Sequence, residues 1–366
     1  MHLGIESAQL AGDHRGIGRY VRKVVAHLLE LDPALTVTLL VEHEADGGRL
    51  VAELPTWPAD PSRVTVGALA RIRQTPMDAC WYPWNVIRWT PPDVPVVVTV
   101  HDLVPLLFAP TWWCKVYTAP RASRLMRTTL DRADAILANS AFTASEVRRV
   151  LGATRAEVVV TPLAADDFFA APTPEAVAVA DALAIPAPYV LAVGAGDARK
   201  NLGLLLDAGE MLATRGTPVT VAVLGPGAKL ERQLTSRRAS WLVAPGFVDD
   251  AVLAVLYARA LALVFPSRYE GFGLPVLEAM AAGAPVITTR EASLPEVAGE
   301  AAMYVDPDDV GGLADAIMHL AANETTRARL VEAGRARASR FSWRETAART
   351  LTVLRDLQRP RQDSNL

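Results

Sequence analysis

The sequence predicts an α/β protein of two domains, each built on a parallel sheet. Three observations carry this. The chain has 366 residues, more than one hydrophobic core usually organises. The run Leu261–Phe265, LALVF, is wholly apolar, as a strand covered by helices on both faces should be. Finally, a strand, a glycine-bearing turn and a helix follow one another in both halves of the chain.

Composition bounds the function. Hydrophobic residues make up 51% and charged residues 21%, ordinary values for a globular α/β chain. A formal net charge of -3 offers no basic field and argues against a nucleic-acid partner. Cys80 and Cys114 are the two cysteines. They build neither a disulfide framework nor a zinc pattern, which points to a reducing compartment. The opening MHLGIESAQLAGDHRG lacks the basic start and long apolar core of a signal peptide. No apolar run is long enough to span a bilayer. The chain is therefore expected in the cytoplasm. Asn323-Glu324-Thr325 matches a glycosylation sequon, read here as chance.

In chain order, His2–Ser7 is the first strand. Gly12 to Arg19 leads into an amphipathic helix, Tyr20–Leu31. Gly16 and Gly18 allow a ligand close to the backbone, although the spacing is not the dinucleotide fingerprint and alone reads as a loop. Leu35–Val41 is the next strand. Trp81, Trp84, Trp89, Trp112 and Trp113 lie among Pro83, Pro91, Pro92 and Pro110 in a region read as loops. Some of these indoles pack the domain. At least one is expected to stack on a sugar ring, with Trp81 and Trp84 as candidates. Val94–Val100 is a strand with His101 and Asp102 at its C-terminal end, where parallel sheets bind ligands; Asp102 has a second reading as a cap. Lys115, Arg121, Arg124, Arg127 and Arg132 follow. A solvated helix face is the plainer account of them, and contact with an acidic lipid surface or a phosphate-bearing ligand is the other. Ala133–Ala138 is a strand, Asn139–Thr143 starts a capped helix, and Val158–Pro162 is the last strand of the first half.

Ala170–Pro188, rich in Ala and Pro, reads as a linker with one short helix. Tyr189–Val193 opens the second α/β unit, followed by Gly194, Gly196 and Arg199-Lys200-Asn201. Arginine as a fork and lysine as a point charge suit a diphosphate, though alone they read as a surface pair. Val219–Gly225 and Val243–Val248 are strands, the second carrying Gly246 and Phe247, and Asp249 or Asp250 caps the helix after it. Leu261–Phe265 then runs into Pro266–Val286, PSRYEGFGLPVLEAMAAGAPV. Gly271-Phe272-Gly273 forms a tight turn, Pro275 starts a helix and Gly283 stops it. Glu270 and Glu278 flank a helix N-terminus whose amides attract anions. Carboxylates only accept hydrogen bonds, so the pair suits a polyhydroxyl ligand. Glu291–Val297 shapes a wall of the same pocket. Asp306-Pro307-Asp308 formally spells D-x-D, but a turn and cap explain it better. Phe341–Trp343 begins the terminal helix, Glu345–Leu357, and the tail Arg359–Leu366 is expected to be disordered. The expected domains are 1–169, a linker 170–188, 189–344, and a terminal helix and tail 345–366.

The string YEGFGLPVLEAM resembles the signature of the GT-B retaining glycosyltransferases of family 4. GIGRY, HDLVPLLF, SAFTASEV, RKN and GFV carry that resemblance along almost the whole chain. It implies two Rossmann-like domains facing a cleft, the first for the acceptor and the second for a nucleotide-diphosphate sugar, with the terminal helix crossing back. It implies that the loop of Gly16 and Gly18 closes over the donor phosphates, that His101 lies against the sugar near its anomeric carbon, and that Arg199 and Lys200 neutralise the diphosphate. Glu270, with Gly271, Phe272, Gly273 and Leu274, would hold the transferred sugar, Glu278 the ribose, and the Phe247 loop the base. Asp102, like the tryptophans, is a candidate on the acceptor side. Two departures stand out: Pro162-Leu163-Ala164-Ala165 replaces the family's Pro-Asn-Gly, and Ala195 stands where many relatives have arginine.

No cofactor and no metal are expected, because cations and helix ends can neutralise the leaving diphosphate. No carboxylate is placed for a double displacement; the resemblance implies a same-face attack assisted by the departing phosphate. The combined motifs look most like bacterial mannosyltransferases that use GDP-mannose, with UDP-, dTDP- and ADP-sugars left open. The acceptor could be a glycan, a lipid-linked sugar or a small metabolite, and a peripheral contact with the inner membrane face stays open, as does the oligomeric state. An epimerase, a phosphorylase with pyridoxal phosphate on a lysine, and a non-catalytic sugar-nucleotide-binding subunit are the rivals.

Overall fold

The structure is a computed structural model. It describes residues 1–13, 16–57, 60–104, 119–152, 156–171, 173–194, 196–225, 227, 231–232, 234 and 239–358. Trp112, Trp113, Cys114, Lys115, Ala195 and the tail from Arg359 lie outside the described residues. The chain forms two compact units, one of Met1–Leu163 with Ser342–Leu366, the other of Ala164–Phe341.

The first unit carries seven described strands: β1 (His2–Glu6), β2 (Thr36–Val41), β3 (Val64–Ala68), β4 (Ala79–Tyr82), β5 (Val96–Val100), β6 (Ala135–Ala138) and β7 (Glu157–Val160). All pair in parallel, in the order β3-β2-β1-β4-β5-β6-β7. The chain builds outward from β1 to β3 and then returns to β4, so the order reverses between β1 and β4. Helices α1 (Ile17–Leu31), α2 (Glu44–Glu53), α3 (Ala119–Arg132) and α4 (Ala141–Leu151) belong to this unit. Helix α1 buries Tyr20, Val21, Val24, Val25, Leu28 and Leu29, an apolar stripe at helical spacing. The terminal helix, Trp343–Asp356, packs along α1. Ser342 caps it by accepting the Glu345 amide (3.1 Å). Arg355 ties it to Asp32 at 2.9 Å, and that hydrogen bond holds the Asp32 carboxyl below its usual range.

Strand β4 was not expected. Its ACWY sequence lies before Pro83 in the region read as loops. All four of its residues are buried, so the strand sits at the centre of the sheet and the proline marks only its exit.

The second unit carries β8 (Tyr189–Val193), β9 (Thr220–Leu224), β10 (Leu242–Gly246), β11 (Ala262–Phe265), β12 (Val286–Thr288) and β13 (Met303–Tyr304). They are parallel, in the order β10-β9-β8-β11-β12-β13. The reversal falls between β8 and β11. Helices α5 (Pro174–Ala182), α6 (Leu202–Thr214), α7 (Asp250–Arg259), α8 (Leu274–Ala282), α9 (Leu294–Ala298), α10 (Val310–Ala322) and α11 (Glu324–Ala338) surround the sheet. Helix α8 packs on α11, where a Cβ on Gly334 would meet Met280 Cγ at 3.2 Å.

The segment 170–188, expected as a linker, is part of this second unit. Thr173 caps α5, α5 lies against α7, and Ala176 and Ala180 are buried. Just before it, Phe169 is buried beside Tyr257, with ring centroids 6.1 Å apart. The alanines there bury a helix face rather than keep a spacer mobile. Among the described residues, no helix is long and apolar enough to cross a membrane.

Candidate active site

A cluster of charged and polar groups lies in the second unit, where two loops leave β8 and β11 at the reversal of strand order. In the first loop Asp197 accepts the Arg199 amide (3.0 Å) and closes a short 3-10 turn, Ala198–Lys200. Asn201 follows in the left-handed region, with φ of 55°, a conformation asparagine tolerates better than most residues. In the second loop Gly273 has φ of 102°, which favours glycine, and Pro275 sits in the first turn of α8.

The loops are joined by a backbone bond: the Arg268 amide donates to the Arg199 carbonyl at 2.8 Å. Around that join the side chains converge. Lys200 Nζ lies 2.7 Å from Glu270 Oε1, and Arg199 Nη1 is 3.9 Å from Glu270 Oε2. Glu270 is 7% exposed. The lysine approaches Oε1 off the hydrogen-bonding direction, so this oxygen has a close cation but no aligned donor. Lys200 also stands 4.4 Å from the centre of the Phe265 ring, a cation–π contact. Arg199 Nε donates to Asp197 Oδ2 at 2.8 Å. Burial alone would raise the Asp197 carboxyl, but its bonds to Arg199 and the charges of Arg199 and Lys200 hold it below the usual range.

Three hydroxyls grip the second loop from behind. Thr288 Oγ1 donates to the Phe265 carbonyl (2.8 Å) and Thr289 Oγ1 to the Ser267 carbonyl (2.6 Å). Ser293 Oγ is 2.9 Å from the Glu270 carbonyl and 2.7 Å from that of Phe272, so its single hydrogen is shared between them. All three residues are fully buried. Ser293 lies in the 291–297 segment expected at this pocket, whereas no local sequence pattern marks Thr288 and Thr289. The Asp306-Pro307-Asp308 turn braces the site too: the Pro307 carbonyl accepts Asn201 Nδ2 (2.8 Å) and Arg268 Nη2 (3.0 Å), and Asp308 pairs with Arg268. The Asp308 amide donates to Asp306 Oδ1 (2.8 Å), so the D-x-D is a turn. Asp309, the residue after it, caps α10.

Of the other candidates in this unit, Glu278 is buried in α8. Phe272 is buried, with its ring edge-on to Phe341 at 5.9 Å. Gly271 and Leu274 fall in the same turn and helix start. Phe247, just after β10, is 65% exposed. Asp249 takes the N-cap position of α7 without a side-chain cap bond.

The first unit holds the remaining candidates. His101, just after β5, is buried. Its Nε2 lies 2.9 Å from the Pro83 carbonyl, and a carbonyl only accepts, so Nε2 carries the hydrogen. Burial depresses the ring's pKa to about 4, the Pro83 bond opposing, and the imidazole is neutral near pH 7. The Tyr20 ring meets it edge-on at 5.0 Å. The His101 carbonyl accepts Asn139 Nδ2 (2.9 Å). Gly16 has φ of 55°. A Cβ on Gly18 would lie 1.8 Å from the Asp13 carbonyl oxygen. The Gly18 amide donates to Asp13 Oδ2 (2.9 Å), and Arg22 Nη2 reaches the Leu10 carbonyl (2.8 Å), so this loop is braced.

Trp81 and Trp84 do not line a surface. Trp81 is fully buried and donates from Nε1 to Thr99 Oγ1 (2.8 Å). Trp84 is buried and donates to the Glu6 carbonyl (3.0 Å). Both indoles found polar partners inside the unit, which leaves them in the core. Asp102 accepts the Val104 amide (3.1 Å), the capping alternative.

The fold and this arrangement define a glycosyltransferase of the GT-B type. The solved structure of Anabaena HepE in complex with UDP and glucose superposes over 97% of this chain and 99% of that one, with a TM-score of 0.72 at 17% identity. The model described as Glycosyltransferase Family 4 matches residues 14–167, and that of Glycosyl transferases group 1 matches 187–323. O-antigen chain mannosyltransferase B of Escherichia coli is 32% identical over 274 residues, covering 70% of this chain and 69% of the relative. The serotype-specific mannosyltransferase WbdA of Escherichia coli is 31% identical over 266 residues, 69% of this chain but only 32% of that longer protein. The chain belongs to glycosyltransferase family 4.

Proposed function

We propose that the protein transfers mannose from GDP-mannose, with retention of configuration, to a hydroxyl of a glycan, glycolipid or small-molecule acceptor. The observation that carries the reading is the meeting of Arg199 and Lys200 with Glu270 at the strand reversal of the second unit. Cations beside a buried carboxylate suit a ligand that is anionic at one point and rich in hydroxyls at the next. Arg199 and Lys200 would take the diphosphate and stabilise it as it leaves. Glu270 would accept hydrogen bonds from the mannose hydroxyls, and Glu278 those of the ribose. Mannose as the transferred sugar is favoured by the mannosyltransferase names of the relatives. A uridine nucleotide is the second reading, since HepE was solved with UDP and glucose.

Thermal stabilisation by GDP, UDP, dTDP and ADP, each with its common sugars, tests the donor. A ligand at about 100 times its Kd should stabilise by about 2.7 kcal/mol. Stabilisation by GDP and GDP-mannose alone supports the proposal, and a response to another nucleotide replaces mannose with that donor's sugar. The anomeric configuration of the product, read by NMR, decides retention.

A further inference from the structure

Glu6 ends β1, and β1 and β4 are the neighbours at which the first sheet reverses. Open parallel sheets bind their ligands beyond the strand ends at such a reversal. The Glu6 side chain is almost wholly buried there, and its Oε1 accepts the Ala8 amide at 3.1 Å. A carboxyl in that position is costly unless something uses it.

Its surroundings connect it to His101. The Glu6 carbonyl accepts the Trp84 indole N–H (3.0 Å), and the carbonyl of the preceding residue, Pro83, accepts His101 Nε2–H (2.9 Å). The His101 amide donates to Asn85 Oδ1 (2.6 Å). The exit of β4, Pro83-Trp84-Asn85, is thus pinned from β1 on one side and from β5 on the other. Glu6 lies level with Tyr82 and Val98 in the sheet register, so His101 stands two strands across and three residues further along, about 14 Å away.

We propose that Glu6 is an acceptor-recognition residue, its carboxylate accepting a hydrogen bond from a hydroxyl of the acceptor sugar held on the first unit. The proposal rests on the glycosyltransferase reading above. Burial pushes the Glu6 carboxyl up to about 7; the Ala8 amide and the Arg88 charge oppose this and Glu42 adds to it. The titratable neighbours on β4 keep their protons: burial drives the Cys80 thiol up to about 12 and the Tyr82 hydroxyl higher still. Together with the neutral His101, this leaves Glu6 as the member of the group that changes charge near neutrality. Only its ionised form is a pure acceptor, so acceptor binding weakens as pH falls through about 7.

The test is saturation-transfer NMR with methyl α-D-mannopyranoside as the probe, at about pH 8 and about pH 5.5, on wild type and Glu6→Gln. Wild type should bind at the higher pH and roughly tenfold more weakly at the lower, the scale of one charged hydrogen bond. Glu6→Gln should bind weakly at both, with stabilisation by GDP unchanged. Equal binding by wild type at both pH values, no transfer to the probe at all, or the wild-type pH response persisting in the variant each overturns the proposal. The wild-type pH pair decides alone should the variant fail to fold. Failure of the donor reading shows separately, as absent stabilisation by GDP-mannose.

Discussion

Lys200 and Glu270 meet at 2.7 Å although they leave different strands of the second sheet, β8 and β11. The sequence motifs suit the lysine to a phosphate and the glutamate to a sugar. Their contact makes them one electrostatic unit. Until a phosphate arrives, the buried carboxylate supplies the counter-charge for the ammonium.

A first prediction follows from that pairing. Lys200→Met leaves a carboxylate that is only 7% exposed with Arg199 at 3.9 Å as its remaining cation and should cost about 3 kcal/mol in urea unfolding. Glu270→Ala should leave the fold intact and abolish sugar transfer. The double variant should recover stability lost by Lys200→Met, a coupling of about 1–3 kcal/mol. Additive single effects would show that the two charges act independently.

Ser293→Ala removes the hydroxyl shared by the Glu270 and Phe272 carbonyls. Stability should fall by about 1–3 kcal/mol, the cost of leaving buried carbonyls unpaired. Transfer should fall by roughly tenfold in kcat, because the Glu270 backbone is no longer held in register. Ser293→Thr, which keeps the hydroxyl, should restore much of both. A variant that loses stability with kcat unchanged would reduce Ser293 to a purely structural role.

These two sites differ in how visible they are in the sequence. Glu270, the glycine turn and Pro275 are consecutive, so strand, turn and helix start read directly, and Arg199-Lys200 is likewise a local string. The Ser293 bonds reach back 21 and 23 residues, and no local pattern encodes which carbonyl a hydroxyl will meet. Trp81 misled because prolines nearby suggested a loop, while its own four-residue strand is a fully buried central one. The 170–188 segment misled by composition, since alanines serve a packed helix as well as a spacer. Glu6 raised no signal, as its meaning comes from the strand order.

Gly18 gives a prediction that depends only on space. Gly18→Ala would set a Cβ 1.8 Å from the Asp13 carbonyl oxygen, which backbone must move to accommodate. It should lower stability by about 2–3 kcal/mol. Gly16→Ala meets nothing within 4 Å but keeps φ of 55°, and should cost only about 1–2 kcal/mol. Thermal melts rank the two, and the reverse order would mean that the loop relaxes freely around Gly18.

Glu6 and His101 give the last prediction, because their shifts oppose each other. The His101 pKa is depressed from 6.5 to about 4. Between those values the unfolded chain binds a proton that the folded chain does not, so this residue's contribution is complete above pH 6.5 and is lost as pH falls towards 4. The Glu6 pKa is raised from 4.5 to about 7. There the folded chain keeps a proton that the unfolded chain has released, so its contribution is complete below pH 4.5 and is lost as pH rises through 7. From pH 4.5 to 6.5 the two slopes, each at most about 1.4 kcal/mol per pH unit, run in opposite directions and nearly cancel. Urea unfolding of Glu6→Gln should therefore show stability rising with pH across this window, and His101→Gln should show it falling. Parallel profiles for the two variants would mean that neither group is held as its burial requires.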